Sequence, residues 1–241
     1  MSAAVSPCIA DAGFSTLLAA LFPVGVSVKV TDPRQPQPAP FAEEAVAVSR
    51  ATAVRQREFA AGRAAAHAAM QGLGVAPQPV PHGPDRAPRW PQGLCGSISH
   101  CDRVCIAVLG ATRTLHSLGV DVEPDEALPG DLLSEVTCLE ERAWLSAQPE
   151  QLRGRLARLI FSAKEAAYKC QYPVSGAMIG FEDLVITPDL DTGQFEATLL
   201  RSVPSFAEGH CFHGRFLVCD GVIVTAVSLS RGPRWSMRDI G

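Results

Sequence analysis

Hydrophobic and polar residues alternate along the chain with two periods, one typical of helices and one typical of strands. The alanine-rich segment Glu43–Leu73 predicts a long helix that ends at Gly74, because glycine often follows the last helical turn. Apolar residues at helical spacing predict two or three more helices between residues 130 and 171, the last of them Gln151–Gln171. Short apolar runs predict seven strands, at Cys95–Ser99, Val104–Leu109, Leu118–Val122, Phe181–Thr187, Gln194–Leu200, His210–Val218 and Val222–Leu229.

Two proline-containing loops interrupt this pattern. Thr31–Pro40 separates a short leading segment from the rest, whereas Ala76–Gly93 is too long for a simple connector and indicates a functional surface. Helix and strands are followed by helices and strands, which predicts an α+β fold of two comparable lobes that meet near Gly119. We therefore expect an N-terminal lobe of residues 1–118 and a C-terminal lobe of residues 119–241.

Composition and charge narrow the class of protein. The 241 residues are 47% hydrophobic and 19% charged, as in a globular protein, and the net charge of −4 argues against a general nucleic-acid binder. Any anionic ligand therefore needs a local basic cluster. The apolar patch Phe14–Val30 lacks a basic start and contains Pro23 and Gly25, so it suits neither a signal peptide nor a membrane span. The eight cysteines form no C-x-x-C pair, and we expect reduced thiols in a cytoplasmic protein.

Two carboxylates stand in the apolar run G-V-D-V-E-P. Residues i and i+2 of a strand face the same side, so Asp121 and Glu123 point together while Val120 and Val122 face the other way. Two such carboxylates stay ionised at low cost only when a cation lies between them. For an isolated D-x-E, however, a hydrated strand end before Pro124 is the simpler explanation.

A third carboxylate lies on the helix that contains F-S-A-K-E-A-A-Y-K. Glu165 and Lys169 are four residues apart on one helical face, where an exposed ion pair contributes only about 0.3–0.5 kcal/mol. That simple ion pair explains the two residues by themselves. Together with Asp121 and Glu123, Glu165 completes an oxygen-only set of the kind that suits Mg²⁺ with ligand phosphates.

Candidate phosphate partners occur in three other places. Ser97-Ile98-Ser99-His100 ends a strand with hydroxyls, amides and an imidazole, although a surface histidine is the simpler reading of His100. Arg55 and Arg63 lie on the long helix roughly 80° apart around its axis, which a solvated helix face explains equally well. Arg86 and Arg89 belong to the loop before S-I-S-H.

Four blocks in this order resemble the 4′-phosphopantetheinyl transferases, in particular the long-form branch that is similar to component D of enterobactin synthetase. The blocks are R-Q-R-E-F-A-A-G-R-A-A-A, R-W-P-Q-G-L-C-G-S-I-S-H, G-V-D-V-E-P and F-S-A-K-E-A-A-Y-K. The resemblance extends from Arg50 to Gly180, and residues 1–40 match nothing in it. It implies two similar α/β lobes about a pseudo-twofold axis, coenzyme A between them, and a monomer with pseudo-dimeric architecture.

The resemblance also assigns roles to residues. It implies metal ligands at Asp121, Glu123 and Glu165. It places the family's lysine at Lys169, its S-H pair at Ser99 and His100, and its basic coenzyme A contacts at Arg55, Arg63 and Arg86. Phe161 stands where the family often has tryptophan.

The implied reaction moves the 4′-phosphopantetheine group from coenzyme A to a serine of an acyl or peptidyl carrier protein. It uses Mg²⁺ and releases adenosine 3′,5′-bisphosphate, with Glu165 as candidate base and Lys169 near the reacting phosphates. His100 and the three arginines are expected at the 3′-phosphate. Siderophore, nonribosomal peptide, polyketide and fatty-acid synthesis all use such carriers, and no nucleic-acid or membrane partner is expected.

Three alternatives remain at this point. A Mg²⁺-dependent phosphohydrolase needs similar acids but turns over coenzyme A without a carrier protein. A non-catalytic nucleotide-binding module does not need all three carboxylates. A zinc site from Cys95, His100, Cys101 and Cys105 lacks a standard spacing, and alternate strand residues diverge.

Overall fold

The computed structural model describes residues 12–231. The helices are α1 (Ala12–Ala19), α2 (Ala42–Ala45), α3 (Ala53–Gly72), α4 (Leu133–Val136), α5 (Leu139–Ser146) and α6 (Glu150–Ser175), with 3-10 turns at Val46–Val48, Gly130–Leu132 and Phe181–Asp183. The strands are β1 (Ser27–Thr31), β2 (Leu94–His100), β3 (Cys105–Ala111), β4 (Leu115–Pro124), β5 (Leu184–Asp189), β6 (Gln194–Leu199), β7 (Cys211–Cys219) and β8 (Val222–Ser230). The predictions for residues 1–11 and 232–241, at the outer ends of the two lobes, lie outside these described residues.

The strands form two antiparallel sheets, and the predicted α+β class is confirmed. The first sheet has the order β1-β3-β2 and the second the order β4-β8-β7-β6-β5. Strand β1 was not predicted, and it adds to the edge of β3 from Ser27↔Leu109 to Thr31↔Cys105. The proposed division after residue 118 falls inside β4, and both this division and the pseudo-twofold axis stay predictions.

The helix predicted over Glu43–Leu73 is interrupted. It is divided into α2 and α3, because Thr52 is extended and its Oγ1 accepts a hydrogen bond from the Arg55 amide at 3.3 Å. Helix α6, in contrast, continues four residues beyond the predicted end at Gln171 and contains Pro173 in its last turn. It ends at Gly176, whose φ of 66° is the left-handed conformation that favours glycine.

Serine hydroxyls connect the two sheets. The backbones of β2 and β4 are not paired in the described sheets; instead, Ser97 Oγ accepts from the Val120 amide at 3.2 Å and Ser99 Oγ from the Val122 amide at 3.3 Å. We call this contact the serine seam. It places the end of β2 beside the carboxylates of β4.

Strand β4 also lies directly against the backbone of α6. A Cβ atom at Gly119 would overlap the Ala166 carbonyl and lie 2.8 Å from the Cys170 amide nitrogen. This close approach, which only glycine permits, brings Asp121 of β4 next to the helix that carries Glu165 and Lys169.

The two lysines of α6 have different partners, since Lys169 lies beside Asp121 and Lys164 contacts Glu141. Lys164 is buried, and its Nζ donates to Glu141 Oε2 at 2.8 Å and to the carbonyls of Val136 and Phe181 at 2.9 and 2.8 Å. The buried ammonium group is therefore fully hydrogen-bonded and ties α5 and α6 together.

No helix between residues 12 and 231 has the length and apolar character needed to cross a membrane.

Candidate functional site

A cleft of about 700 Å³ lies between the N-terminal region and α6. Its walls are α3, β2, the loop 76–93 and the C-terminal half of α6. Its charged lining residues are Arg55, Arg63, Arg86, Arg89, Lys169, Glu58, Asp85 and Asp121. Five cations against three acids give the cleft a basic excess, although the whole chain is acidic. The cleft therefore suits an anionic ligand.

Asp121 lies at the floor of this cleft, where β2, β4 and α6 meet. It is only 4% exposed, and its carboxylate accepts hydrogen bonds from Ser99 Oγ and Ser162 Oγ, both at 2.8 Å. Lys169 Nζ lies 2.6 Å from Asp121 Oδ1 and 3.2 Å from Ser99 Oγ. Although burial acts to lower the pKa of Lys169, the charges of Asp121 and Glu165 hold it above its usual value. The ammonium group is therefore charged at neutral pH.

Glu123 and Glu165 flank Asp121 and are only partly exposed. Glu123 Oε2 accepts from Arg158 Nη1 at 2.8 Å, and Glu165 Oε2 lies 4.0 Å from Lys169 Nζ. Burial raises the pKa of both glutamates, and the Asp121 charge raises it further in each case. The negative charges therefore act on one another at this point of the fold.

The donor set fits a hard divalent cation. All three side chains offer carboxylate oxygens, and a cation beside Asp121 would offset the repulsion that raises the glutamate pKa values. The three do not form a closed shell within the described residues, since their oxygens do not all lie within 4.8 Å of one another. Lys169 and Arg158 neutralise two of the acids in this arrangement.

Arg63 is held inside the cleft wall by a buried acid. It is 3% exposed, its Nε lies 3.8 Å from Glu44 Oε1, and its guanidinium stacks 4.3 Å from the Phe59 ring centroid. Burial lowers the pKa of Arg63 to about 10, so it stays charged at neutral pH. Its Nε and Nη2 are buried without a hydrogen-bond partner. Such unpaired donors beside a cleft are suited to an anionic ligand.

Glu44 itself is completely buried and fixes three neighbours. It accepts hydrogen bonds from the amides of Phe41 and Val80 at 2.8 and 2.7 Å, and its Oε1 lies 2.9 Å from His67 Nε2. Burial acts to raise the pKa of Glu44, but these hydrogen bonds hold it below its usual value. The bond to Val80 also anchors the loop 76–93.

His100 and Arg55 are in direct contact in the lining of the cleft. The Arg55 Nη1 atom lies 2.6 Å from His100 Nε2 and 3.3 Å from Glu58 Oε2. Burial lowers the pKa of His100, so the ring is neutral at pH 7 and Nε2 accepts from the guanidinium.

The loop 76–93 covers one side of the cleft. Arg86 has a φ of 66°, and its amide donates to the Gly83 carbonyl at 3.0 Å within a tight turn. Asp85 Oδ2 accepts from the Tyr172 hydroxyl at 2.8 Å, which connects the loop to α6. Arg86 is brought to the cleft by this turn and not by a regular element.

Comparisons with known proteins identify the family. The sequence model described as "4'-phosphopantetheinyl transferase N-terminal domain" matches residues 42–110, and that of the "4'-phosphopantetheinyl transferase superfamily" matches residues 117–227. The chain is 37% identical to 4'-phosphopantetheinyl transferase Svp of Streptomyces mobaraensis, over 79% of this chain and 78% of the relative. The chain belongs to the 4'-phosphopantetheinyl transferase superfamily.

Two other members show how the similarity is distributed. 4'-Phosphopantetheinyl transferase PptT of Mycobacterium tuberculosis is 36% identical over 79% of this chain and 86% of its own length. Enterobactin synthase component D of Salmonella typhi is 34% identical over 64% of this chain and 62% of its own length. The predicted relation to this superfamily, including its component D members, is confirmed.

The structure places the residues predicted for this superfamily as follows. Seven line the cleft, namely Arg55, Arg63, Arg86, Ser99, His100, Asp121 and Lys169. Glu123 and Glu165 flank Asp121 without lining the cleft itself. Phe161 packs against the core of the second sheet, with its ring centroid 5.5 Å from that of Phe181.

Other site residues were not predicted. Ser162 lies seven residues before Lys169 on the same helical face, and this spacing is a signal from which it could have been found. Glu44, His82, Arg158 and Tyr172 reach the site region through long-range packing that no local pattern indicates. The zinc alternative finds no support in the described residues, because Cys95, His100, Cys101 and Cys105 do not gather their ligand atoms into one group.

Proposed function

We propose that this protein transfers the 4′-phosphopantetheine group of coenzyme A to a serine hydroxyl of an acyl or peptidyl carrier protein. The central observation is the position of Asp121, buried at the floor of a basic cleft with Lys169 on its carboxylate. The names of the relatives support the reaction, and the cleft has the size and charge that a nucleotide-linked substrate needs. A cytoplasmic location and a monomeric state stay predictions from the sequence.

Asp121, Glu123 and Glu165 are the residues that would hold Mg²⁺. When bound there, the ion would stabilise negative charge that develops on the pyrophosphate oxygens. Lys169 lies beside the same carboxylate, so its ammonium group is positioned to donate to a phosphate oxygen. Lys169 and a metal ion would both contact the Asp121 carboxylate. Both could be accommodated if the Lys169 ammonium group contacted a phosphate oxygen instead of Asp121.

Glu165 is the proposed base for the carrier serine. The serine oxygen attacks the phosphorus that bears the pantetheine, and the bond from this phosphorus to the oxygen of the adenosine 3′,5′-bisphosphate breaks. The serine proton passes to Glu165 or to a water beside it. Because burial raises the pKa of Glu165, it accepts a proton more readily than an exposed carboxylate does. Glu165 is still a weak base for deprotonating an alcohol, so the positioning of the reacting groups provides most of the rate.

Arg55, Arg63, Arg86 and His100 are the proposed partners of the 3′-phosphate of coenzyme A. Arg63 offers two buried donors without partners, and the contact between Arg55 and His100 already brings two of the groups together. Phosphate contacts of this kind hold the substrate in the ground state and the transition state alike.

The decisive test is mass spectrometry of apo-carrier proteins incubated with this protein, coenzyme A and Mg²⁺. We expect one phosphopantetheine per carrier domain and an equal amount of adenosine 3′,5′-bisphosphate. Turnover of coenzyme A without a carrier would instead establish the phosphohydrolase alternative. Carriers from siderophore, polyketide and fatty-acid systems, tested side by side, would identify the pathway.

The 3′-phosphate contact predicts a loss of substrate selectivity. His100→Ala should raise the KM for coenzyme A by at least about tenfold with a smaller change in kcat, because the contact does not change during reaction. The same variant should discriminate less between coenzyme A and 3′-dephospho-coenzyme A. The matched control is Arg57→Ala, which removes an exposed arginine of α3 outside the cleft lining. An equal loss on both substrates would contradict the assignment.

The carrier surface is predicted in the segments that leave the two motifs, Leu128–Val136 and Tyr172–Ile179. Leu133 packs partly buried against the core, whereas Met178 is 69% exposed and its Sδ accepts from the Tyr168 hydroxyl at 2.9 Å. Since Tyr168 lines the cleft, Met178 is the better docking candidate.

Met178→Asp is therefore expected to reduce carrier modification about tenfold or more, with unchanged coenzyme A binding and melting temperature. Leu133→Asp should lower the melting temperature, because it places a charge against the core. Leu190→Asp is the control, since Leu190 is 44% exposed in the turn between β5 and β6. Normal modification by Met178→Asp would move the docking surface elsewhere.

A further inference from the structure

Strands β6 and β7 bring a histidine, a cysteine and a glutamate together on one face of the second sheet. Glu196 of β6 is directly opposite His213 of β7, and Cys211 lies two residues before His213. Residues two apart in a strand share a face, so all three side chains point the same way. The neighbours Phe195, Ala197 and Phe212 are buried on the other face, against the core.

The ligand atoms of these three residues form a compact group. One oxygen of Glu196, the thiol sulfur of Cys211 and one ring nitrogen of His213 all lie within 4.8 Å of one another. Among the His, Cys, Asp and Glu side chains of the described residues, no other group of three meets this spacing. Regular strand pairing fixes it, without a flexible loop.

A surface ion pair is the simpler interpretation of part of this group. His213 Nδ1 lies 3.6 Å from Glu196 Oε1, which is too long for a hydrogen bond, and both side chains are mostly exposed. Such a pair contributes little to stability. The pair does not include the Cys211 thiol, which lies within the same spacing beside Glu196 and Thr198 and whose pKa is raised by burial.

The spacing fits the shell of a single tetrahedral ion. Two nitrogen or oxygen ligands at about 2.0–2.1 Å from such an ion lie about 3.3 Å from each other, and a thiolate ligand lies slightly farther away. The distance of 3.6 Å between Glu196 and His213 differs from this by a few tenths of an ångström. Small rotations of two exposed side chains are sufficient to close it.

We propose that Glu196, Cys211 and His213 form a site for Zn²⁺ or a similar borderline divalent cation. Thiolate, imidazole and carboxylate are the three ligand types that zinc takes in proteins, and a water molecule completes the fourth position. Mg²⁺ prefers oxygen ligands and does not compete for this set. Metal binding displaces the thiol proton to solvent and leaves a zinc-thiolate bond, with no change of oxidation state.

This site is separate from the reaction described above. None of its three residues lines the cleft, and the bound ion would bridge β6 and β7, two strands of the second sheet. The ion is therefore expected to stabilise the sheet and to leave transfer activity unchanged. The proposal does not depend on the proposed function.

The test uses Co²⁺ as a spectroscopic substitute for Zn²⁺, with reduced, untagged, full-length protein in excess Mg²⁺. Thiolate coordination to Co²⁺ gives a near-ultraviolet charge-transfer band that carboxylate sites lack. We expect this band in the wild type, its displacement by Zn²⁺, and its loss in Cys211→Ser. Glu196→Gln and His213→Ala should weaken Co²⁺ binding by at least about tenfold.

Cys219→Ser is the matched control, because Cys219 is a partly buried cysteine of the same strand outside the group. The Cys219→Ser variant should keep the full charge-transfer band. Zn²⁺ should raise the melting temperature of the wild type and of Cys219→Ser, but not the melting temperature of Cys211→Ser. The proposal is overturned if Cys211→Ser keeps the band, or if the wild type shows none at millimolar Co²⁺.

Discussion

Asp121→Asn is expected to reduce the rate of phosphopantetheine transfer by at least about 100-fold. The substitution keeps the shape of the side chain but removes the charge that lies between Lys169, Ser99 and Ser162. It also replaces the central carboxylate of the proposed Mg²⁺ set by a neutral amide, which binds the ion more weakly. The measurement is the initial rate of carrier modification at saturating coenzyme A and Mg²⁺, together with coenzyme A binding and the melting temperature.

Asp125→Asn provides the comparison for this variant. Asp125 follows β4 and pairs with Arg155 outside the cleft lining, so its charge should not affect transfer. Because both oxygens of the buried Asp121 accept hydrogen bonds, its replacement by an amide also disturbs these bonds. Glu165→Gln therefore tests the same site at a more exposed position. Transfer near the wild-type rate by both Asp121→Asn and Glu165→Gln would remove these two carboxylates from the reaction.

Gly119→Ala is expected to lower the free energy of unfolding by about 3 kcal/mol or more. The added methyl group would overlap the Ala166 carbonyl and approach the Cys170 amide, which are backbone atoms of α6 and not flexible side chains. Relief requires β4 and α6 to move apart, and this separates Asp121 from Lys169. Denaturant unfolding measures the stability, and transfer activity should fall with it.

Gly130→Ala is the control for this substitution. Gly130 begins a 3-10 turn, a Cβ there meets no atom within 4 Å, and its φ is not positive. Its stability should remain within about 0.5 kcal/mol of the wild type. If Gly119→Ala is equally stable, the close approach of β4 to α6 is wrong.

The regular elements of the second sheet were predictable from sequence because their patterns are long and periodic. The four strands from β5 to β8 alternate or run apolar between clear turns, and α6 carries a continuous apolar stripe. Strand β1 was missed, since S-V-K-V-T is short and follows a proline and a glycine. It becomes a strand through its pairing with β3, which is not visible locally.

Between α2 and α3, the sequence predicted one continuous helix where the structure has a break. Alanine-rich sequence continues across it, and only the side chain of Thr52 starts a new helix. Propensity alone gives no reason to stop there.

The candidate site was predictable as a set of residue types but not as a set of contacts. The four-residue spacing predicts an ion pair between Glu165 and Lys169, yet Lys169 Nζ lies 2.6 Å from Asp121 and 4.0 Å from Glu165. The closer partner comes from another element, 48 residues away in sequence. Glu44 illustrates the same limit, since its burial against Val80 depends on the path of a long loop.

The serine seam makes the floor of the cleft a property of two sheets at once. Ser99 belongs to β2, Asp121 to β4 and Lys169 to α6, so the group exists only after the early and late parts of the chain have docked. A polypeptide cut in the connection between β3 and β4 would thus give two pieces that are each expected to be inactive. Mixing the two pieces would restore phosphopantetheine transfer only to the extent that Ser97 and Ser99 again accept hydrogen bonds from the amides of Val120 and Val122. If this group is the reaction site, transfer activity therefore requires both parts of the chain to be assembled.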